Sequence, residues 1–153
     1  MNLSGQAAPD VTLPRDGGGS LSLSDLRGGL VVLYFYPRDD TKGCTTQAVD
    51  FTARAGDFAA AGATVLGINK DPVASHDKFR DKHGLGIALL SDAEGDAAER
   101  YGTWREKSMY GKTFMGIERS TFLIGRDGTV LREWRKVKVP GHVDEVLAAA
   151  RGA

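Results

Sequence analysis

Apolar runs of strand length recur along the chain, and segments with a helical spacing of apolar residues separate them. Two continuous runs rich in β-branched and aromatic residues, at 30–36 and 63–69, are typical of strands buried on both faces of a parallel sheet. Three shorter runs predict further strands, and the last two of these form an antiparallel hairpin around a glycine-containing turn. They are residues 87–90, 120–124 and 130–137.

Helical periodicity predicts four helices between and after these strands. One begins at Cys44, carries a stripe of Ala and Phe side chains, and ends at Gly62. The other three cover residues 71–83, 91–101 and 142–150. The alternation of strands and helices predicts an α/β fold, with a mostly parallel central sheet that has an antiparallel edge and is flanked by helices.

Two glycine-rich or aperiodic segments lie outside this alternation. Short alternating stretches on either side of Gly17, Gly18 and Gly19 predict an N-terminal β-hairpin, since no GxGxxG or GxxxxGK[ST] spacing supports a phosphate-binding loop. Residues 103–116 show no clear period and are expected to form an extended loop. Its aromatic and methionine side chains have three possible fates, namely covering a pocket, forming a partner surface or packing into the core.

Composition narrows the class of protein. A length of 153 residues suits one domain, covering residues 1–153, and 41% hydrophobic with 26% charged residues is ordinary for a globular chain. Twenty Lys and Arg balance twenty Asp and Glu, which gives no support to nucleic-acid binding. No apolar run approaches the ~20 residues of a membrane span, and no secretory signal is recognisable, so we expect a cytoplasmic location.

The chain has a single cysteine, Cys44. One thiol excludes an intrachain disulfide, a CxxC redox pair and a thiolate zinc cage, and we expect neither a metal nor a cofactor. A lone cysteine is commonly a small buried apolar side chain, but Cys44 has polar neighbours and opens a helix, whose N-terminus favours the nucleophilic thiolate. Gly43 lets the backbone approach a substrate closely, and Thr41 offers a hydroxyl for hydrogen bonding.

Residues 34–48, YFYPRDDTKGCTTQA, closely resemble the active-site segment of the peroxiredoxins, in the form found in the peroxiredoxin Q or bacterioferritin comigratory protein subfamily. Pro37, Thr41 and Cys44 match the Pro-x-x-x-Thr-x-x-Cys signature position for position. The similarity covers essentially the whole chain, and its further segments are residues 89–92, 110–112, 116–124 and 135–139.

This resemblance implies a thioredoxin-like fold and the reduction of hydrogen peroxide or organic hydroperoxides. It makes Cys44 the peroxidatic nucleophile and Thr41 a hydrogen-bonding partner of the thiolate and the peroxide. It makes Arg119 the cation that holds both, although by position alone an arginine before a strand is usually a solvated charge. Pro37 would shield the pocket from water.

The sequence departs from the family at the second, resolving cysteine. Val49 occupies one of its usual positions, and the segment 71–83, which holds the other, contains no cysteine. We therefore expect a one-cysteine peroxidase that an external thiol recycles, whether thioredoxin, glutaredoxin or a low-molecular-weight thiol. A disulfide between two Cys44 residues stays open, and we expect a monomer or a weak homodimer.

Two other functions share these motifs. A peroxide-sensing signalling or interaction protein with slow turnover would keep every one of them. A catalytically inactive binding module would be expected to have lost Thr41 or Arg119, and both are present.

The remaining polar residues suggest no separate site. Asp39 and Asp40 could form an acid–base pair, but adjacent carboxylates in a loop are more often solvated. His76 and His83 are expected at the surface because their spacing does not suit a local metal chelate. His142, at the start of the last helix, is expected to be structural.

Overall fold

A computed structural model describes residues 2–153, and strands form its centre. In chain order the strands are β1 (Thr12–Pro14), β2 (Ser20–Ser22), β3 (Leu30–Phe35), β4 (Ala63–Asn69), β5 (Ala88–Ser91), β6 (Trp104–Met109), β7 (Lys112–Ile117), β8 (Ser120–Ile124) and β9 (Val130–Trp134). The helices are α1 (Lys42–Ala53), α2 (Ala55–Ala60), α3 (Val73–His83), α4 (Ala97–Arg100) and α5 (His142–Arg151), with a short 3-10 helix at Leu23–Leu26. Within residues 2–153, no helix has the length and apolar character needed to cross a membrane.

The central sheet has five strands in the order β5-β4-β3-β8-β9. The ladders β5-β4 and β4-β3 are parallel, whereas β3-β8 and β8-β9 are antiparallel. The sheet is therefore mixed, with an antiparallel part wider than the single edge that the alternation predicts. The predicted N-terminal hairpin is confirmed, since β1 and β2 pair antiparallel.

Both faces of strand β3 contribute side chains to the hydrophobic core, and all six of its residues are buried. Val32 and Tyr34 belong to a cluster with side chains of α1, α2, α3 and α5. Val31, Leu33 and Phe35 belong to a second cluster with the N-terminal segment and α4. Because side chains alternate along a strand, a continuous apolar run supplies both clusters and holds the carboxyl end of β3 rigidly in the centre.

Three predicted elements differ from the structure. Helix α1 begins two residues before Cys44, and a break at Arg54 separates it from α2. The helix predicted over 91–101 shrinks to α4, because the Asp92 carboxylate accepts the backbone N–H groups of Ala97 and Ala98 and holds the preceding residues in a turn. The loop predicted over 103–116 is wrong, since these residues form the antiparallel hairpin β6-β7. Its strands are mostly exposed, so they lack the apolar alternation by which strands are recognised.

Candidate active site

Cys44 lies in the first turn of α1, just beyond the carboxyl end of β3. Thr41 occupies the capping position, Lys42 is the first helical residue, and the Thr45 N–H donates to the Thr41 carbonyl at 2.8 Å. The Cys44 side chain is only 1% exposed. Because the first four N–H groups of a helix lack partners within it, the sulfur sits at a positive backbone end, which favours negative charge there.

Arg119, in the link between β7 and β8, contacts the Cys44 sulfur. Its Nη2 donates to Sγ at 3.3 Å, and its Nη1 donates to Oε1 of Gln47 at 2.6 Å. Gln47 is fully buried one turn after Cys44, so it holds the guanidinium over the sulfur. Sequence reasoning missed Gln47, although its i, i+3 spacing from Cys44 places the two side chains on one face of the helix and could have found it.

Gly43 makes room for this arginine. A Cβ atom at position 43 would lie 3.3 Å from Nη2 of Arg119, closer than side-chain atoms ordinarily approach. The sequence assigned Gly43 to the close approach of a substrate, whereas in the structure the group that approaches it is Arg119. The smallest residue is thus needed for the position of the guanidinium.

The other residues predicted for the site, Pro37 and Thr41, line the same cleft as Cys44 and Arg119. The Thr41 hydroxyl donates to the Arg38 carbonyl at 3.0 Å rather than to the sulfur. The sequence motif therefore assembles around one opening, with the Thr41 hydroxyl turned to its own loop.

The cleft measures about 530 Å³, and the β6-β7 hairpin forms one of its walls. Apolar and aromatic side chains of the hairpin line this wall, while Tyr110 at the tip is 96% exposed. Of the three fates open to residues 103–116, covering the pocket is the one observed for most of these side chains. The residues that line the cleft are Pro37, Arg38, Thr41, Cys44, Lys70, Asp71, Trp104, Lys107, Met109, Phe114, Met115, Gly116, Ile117 and Arg119.

The expectation of solvated carboxylates is wrong for Asp39. Its buried carboxylate accepts hydrogen bonds from Tyr36 Oη at 2.6 Å, Ser75 Oγ at 2.7 Å and Asn69 Nδ2 at 3.2 Å, and it bonds His76 Nδ1 at 2.6 Å. Asp40 points the other way, to the surface, where it binds Lys82 and His83 at 2.7 Å each. Adjacent side chains of an extended loop face opposite sides, and this loop passes over α3.

His76 is fully buried, so its predicted surface location is also wrong. Its Nε2 lies 2.9 Å from the Leu90 carbonyl and its Nδ1 faces Asp39, so both ring nitrogens face acceptors and must donate. Burial alone would favour the neutral ring, but the hydrogen bond to Asp39, the charge of Asp39 and the hydrogen bond to the Leu90 carbonyl together raise the pKa of His76. Burial likewise opposes ionisation of Asp39, yet its hydrogen bonds with His76, Tyr36 and Ser75 together lower the pKa of that carboxyl. The two form a buried ion pair that joins the loop before Cys44 to α3.

His142 is the third histidine, and it too is buried, at the start of α5. It is hydrogen-bonded to the Thr121 hydroxyl at 2.8 Å and packs edge-on against Trp134. Burial lowers the pKa of His142 to about 4, so the ring is neutral at pH 7. It does not line the cleft.

Comparison with known proteins gives a consistent picture. Residues 4–132 match the AhpC/TSA family. The chain is 49% identical over 143 residues to peroxiredoxin Bcp of Bacillus subtilis (strain 168), covering 94% of this chain and 91% of that one. It is 50% identical over 143 residues to a putative peroxiredoxin bcp of Coxiella burnetii, covering 94% of this chain and 95% of that one.

Solved structures give the same result at the level of the backbone. Peroxiredoxin Q of Xanthomonas campestris superposes with a TM-score of 0.89 at 46% identity, covering 93% of this chain and 90% of that one. The peroxidoxin BcpB of Mycobacterium tuberculosis gives 0.88 at 36% identity, covering 99% of this chain and 98% of that one. The fold is thus the thioredoxin-like fold that the resemblance implies.

Proposed function

The chain belongs to the AhpC/TSA family, in its peroxiredoxin Q subfamily, and we propose that Cys44 is the thiol with which it reduces peroxides. Members of this family are thiol-dependent peroxidases, and this chain is one of them. The observation that carries the assignment is the 3.3 Å contact of Arg119 with the Cys44 sulfur at the base of an open cleft. Because Cys44 lies in the first turn of α1, backbone N–H groups at the start of the helix also lie on the side of the sulfur.

In the proposed reaction the Cys44 thiolate attacks one oxygen of the peroxide. A sulfur–oxygen bond forms, the O–O bond breaks, and Cys44 becomes a sulfenic acid while hydroxide or alkoxide departs and takes up a proton to give water or an alcohol. Negative charge moves from the sulfur to the departing oxygen, and Arg119 can stabilise it at both ends because its guanidinium stays charged and presents several donors. Thr41 would reach the peroxide by turning its hydroxyl from the Arg38 carbonyl, and Pro37 would keep water out.

The cycle is completed by an external thiol, since the sequence contains no second cysteine. That thiol condenses with the sulfenic acid, releasing water and forming a mixed disulfide, and a second thiol then frees Cys44 by exchange. Thioredoxin, glutaredoxin and low-molecular-weight thiols are the candidates, and all suit the reducing cytoplasm in which we place the protein. A disulfide joining two Cys44 residues would need two buried sulfurs to reach each other, and we place the protein as a monomer or a weak homodimer.

Mass spectrometry after one equivalent of peroxide tests this assignment. We expect Cys44 to gain one oxygen, or an adduct of an added thiol, and Cys44→Ser to consume no peroxide while keeping the fold. Peroxide consumption by Cys44→Ser, or consumption by the wild type with Cys44 left unmodified, would contradict the mechanism. A panel of thiol reductants under steady-state turnover then identifies the recycling partner, and a stall after one equivalent with every reductant would indicate a sensor instead.

A further inference from the structure

An acid that protonates the departing hydroxide or alkoxide speeds cleavage of the O–O bond by a thiolate, because that leaving group is a strong base. Arg119 cannot supply this proton, because a guanidinium stays protonated in proteins. The Thr41 hydroxyl is a far weaker acid, and it donates to the Arg38 carbonyl. The Asp71 carboxylate serves as an acceptor, since its Oδ2 accepts hydrogen bonds from Asn69 Nδ2 at 3.0 Å and from the Asp39 N–H at 2.8 Å. Among the described residues that line the cleft there is no histidine, tyrosine or glutamate.

Two lysines remain, and their surroundings differ. Lys70 lies 2.8 Å from Glu99 and 3.2 Å from Asp92. Burial opposes its charge, but the hydrogen bonds and negative charges of these two carboxylates together raise the pKa of Lys70. Lys107, on β6, is half-buried and forms no ion pair with any residue of 2–153. Burial, followed by the charge of Arg119, lowers the pKa of Lys107. Lys107 is therefore the lysine of the cleft that gives up a proton more readily.

Gly116 leaves room on the hairpin for the Lys107 side chain. A Cβ atom at Gly116 would lie 3.2 Å from Cδ and 3.5 Å from Cε of Lys107, so the lysine stem occupies the space that a side chain at 116 would need. Phe114, which pairs with Lys107 across the hairpin, lines the cleft beside it. This packing holds the stem along the wall of the cleft that contains Cys44.

We propose that Lys107 is the acid that protonates the departing oxygen, an inference that rests on the proposed function of Cys44. As Sγ bonds to one peroxide oxygen, the other leaves with the O–O electron pair and takes a proton from the Lys107 ammonium. The products are the Cys44 sulfenic acid, water or alcohol, and a neutral Lys107 amine. The amine regains its proton from solvent before the next turnover.

A series of peroxides with different leaving groups tests this role. Hydrogen peroxide and tert-butyl hydroperoxide release strong bases that need a proton, whereas peracetic acid releases acetate, which does not. We expect Lys107→Met and Lys107→Arg to slow the oxidation of Cys44 by both hydroperoxides by about a hundredfold or more. Oxidation by peracetic acid should stay near the wild-type rate. Stopped-flow measurement of a single turnover keeps the reductant out of the comparison.

The controls separate proton transfer from charge and from folding. Lys112→Met removes an exposed lysine of the same hairpin, outside the cleft, and should leave all three rates unchanged. Full activity of Lys107→Arg with hydroperoxides would overturn the proposal in favour of a purely electrostatic role. Equal losses with peracetic acid and hydroperoxides would overturn it in favour of a structural role. If the wild-type Cys44 reacted with none of the three peroxides, the proposed function itself would fall, and this inference with it.

Discussion

At the level of single residues, the contact between Arg119 and Cys44 depends on two neighbours on α1. Gln47 Oε1 accepts a hydrogen bond from Nη1 of Arg119 at 2.6 Å, and Gly43 leaves free the space that Nη2 occupies. Both neighbours set the position of the arginine, one by a hydrogen bond and the other by the space it leaves free. Small changes on this helix should therefore affect the chemistry through Arg119.

Gly43→Ala tests this dependence. Its Cβ would stand 3.3 Å from Arg119 Nη2, and we expect the flexible guanidinium to yield by moving off the sulfur. Because a misplaced catalytic group costs rate steeply, kcat/KM for hydrogen peroxide should fall by about tenfold or more. Stability should hold or rise by up to about 1 kcal/mol, because alanine favours the helix more than glycine does.

Gly56→Ala is the matched control for this substitution. It lies in α2, where a Cβ would meet nothing within 4 Å, so kcat/KM should not change. Unchanged kcat/KM in Gly43→Ala, with urea unfolding measured in parallel, would show that Arg119 does not need the vacant space.

At the level of elements, the β6-β7 hairpin stands apart from the central sheet, and a two-stranded hairpin is only marginally stable alone. The Glu118 N–H, which donates to the Thr103 carbonyl at 2.7 Å, closes the base of the hairpin, and Trp104, whose ring centroid lies 5.1 Å from the Lys70 ammonium, attaches it to the end of β4. This attachment leaves its apolar side chains facing the cleft. The hairpin should thus select substrates by the size of their organic group.

Phe114→Ala tests this role of the hairpin. Phe114 is 46% exposed on the cleft wall, where an organic hydroperoxide could bury its alkyl group against the ring. We expect kcat/KM for cumene hydroperoxide to fall by about tenfold, since lost apolar contact in a pocket costs roughly 1–3 kcal/mol. Hydrogen peroxide, which has no apolar group, should react at the wild-type rate.

The control for Phe114 is Leu131→Ala, which removes an apolar side chain of equal exposure, 46%, on β9 away from the cleft. This substitution should leave kcat/KM unchanged for both cumene hydroperoxide and hydrogen peroxide. An equal loss with both substrates in Phe114→Ala would indicate that the hairpin is disturbed, and no loss would show that its apolar wall does not bind the substrate.

At the level of the whole molecule, the ion pair of Asp39 and His76 joins the loop before Cys44 to α3, β4 and β5. Tyr36, Asn69 and Ser75 complete its hydrogen bonds, and Leu90 accepts from the other side. Breaking a buried pair leaves an uncompensated charge and costs about 3–5 kcal/mol. The stability of the fold and the position of the loop before Cys44 are coupled through this pair.

The pair has a defined pH dependence. Because the pKa of His76 is raised on folding, its contribution is complete below about pH 6.5 and is lost as the pH rises through the raised value. Because the pKa of Asp39 is lowered, its contribution is complete above about pH 4 and is lost as the pH falls through the lowered value. His142, with its pKa lowered to about 4, contributes in the opposite sense to His76, and its stabilisation is lost between about pH 6.5 and 4.

His76→Gln is expected to lower the free energy of unfolding by about 3 kcal/mol near pH 6, with a smaller difference from the wild type near pH 9. Urea unfolding at the two pH values measures both differences. His83→Gln, which removes a partner of Asp40 in a pair open to solvent, is the control and should cost less than about 1 kcal/mol. A His76 difference that is equal at both pH values would contradict the buried ion pair.

Local sequence patterns predict much of the fold, and the features that were predicted wrongly are those for which the sequence shows no such pattern. The two runs of apolar residues became β3 and β4, because a strand buried on both faces needs apolar side chains at every position. The hairpin β6-β7 escaped prediction because its exposed strands keep polar residues on both faces. Asp39 escaped because nothing in a two-aspartate loop indicates which carboxylate turns inward.

The sequence by itself determined the thiol, its place at the start of a helix, and the need for an outside reductant, since these rest on composition and on contiguous residues. Only the tertiary structure decided what surrounds that thiol. Arg119 meets Gln47 across 72 positions of the chain, and His76 meets Asp39 across 37. Such contacts depend on how strands and helices pack, and packing is decided by the whole core at once, whereas local periodicity records only which face of an element is buried.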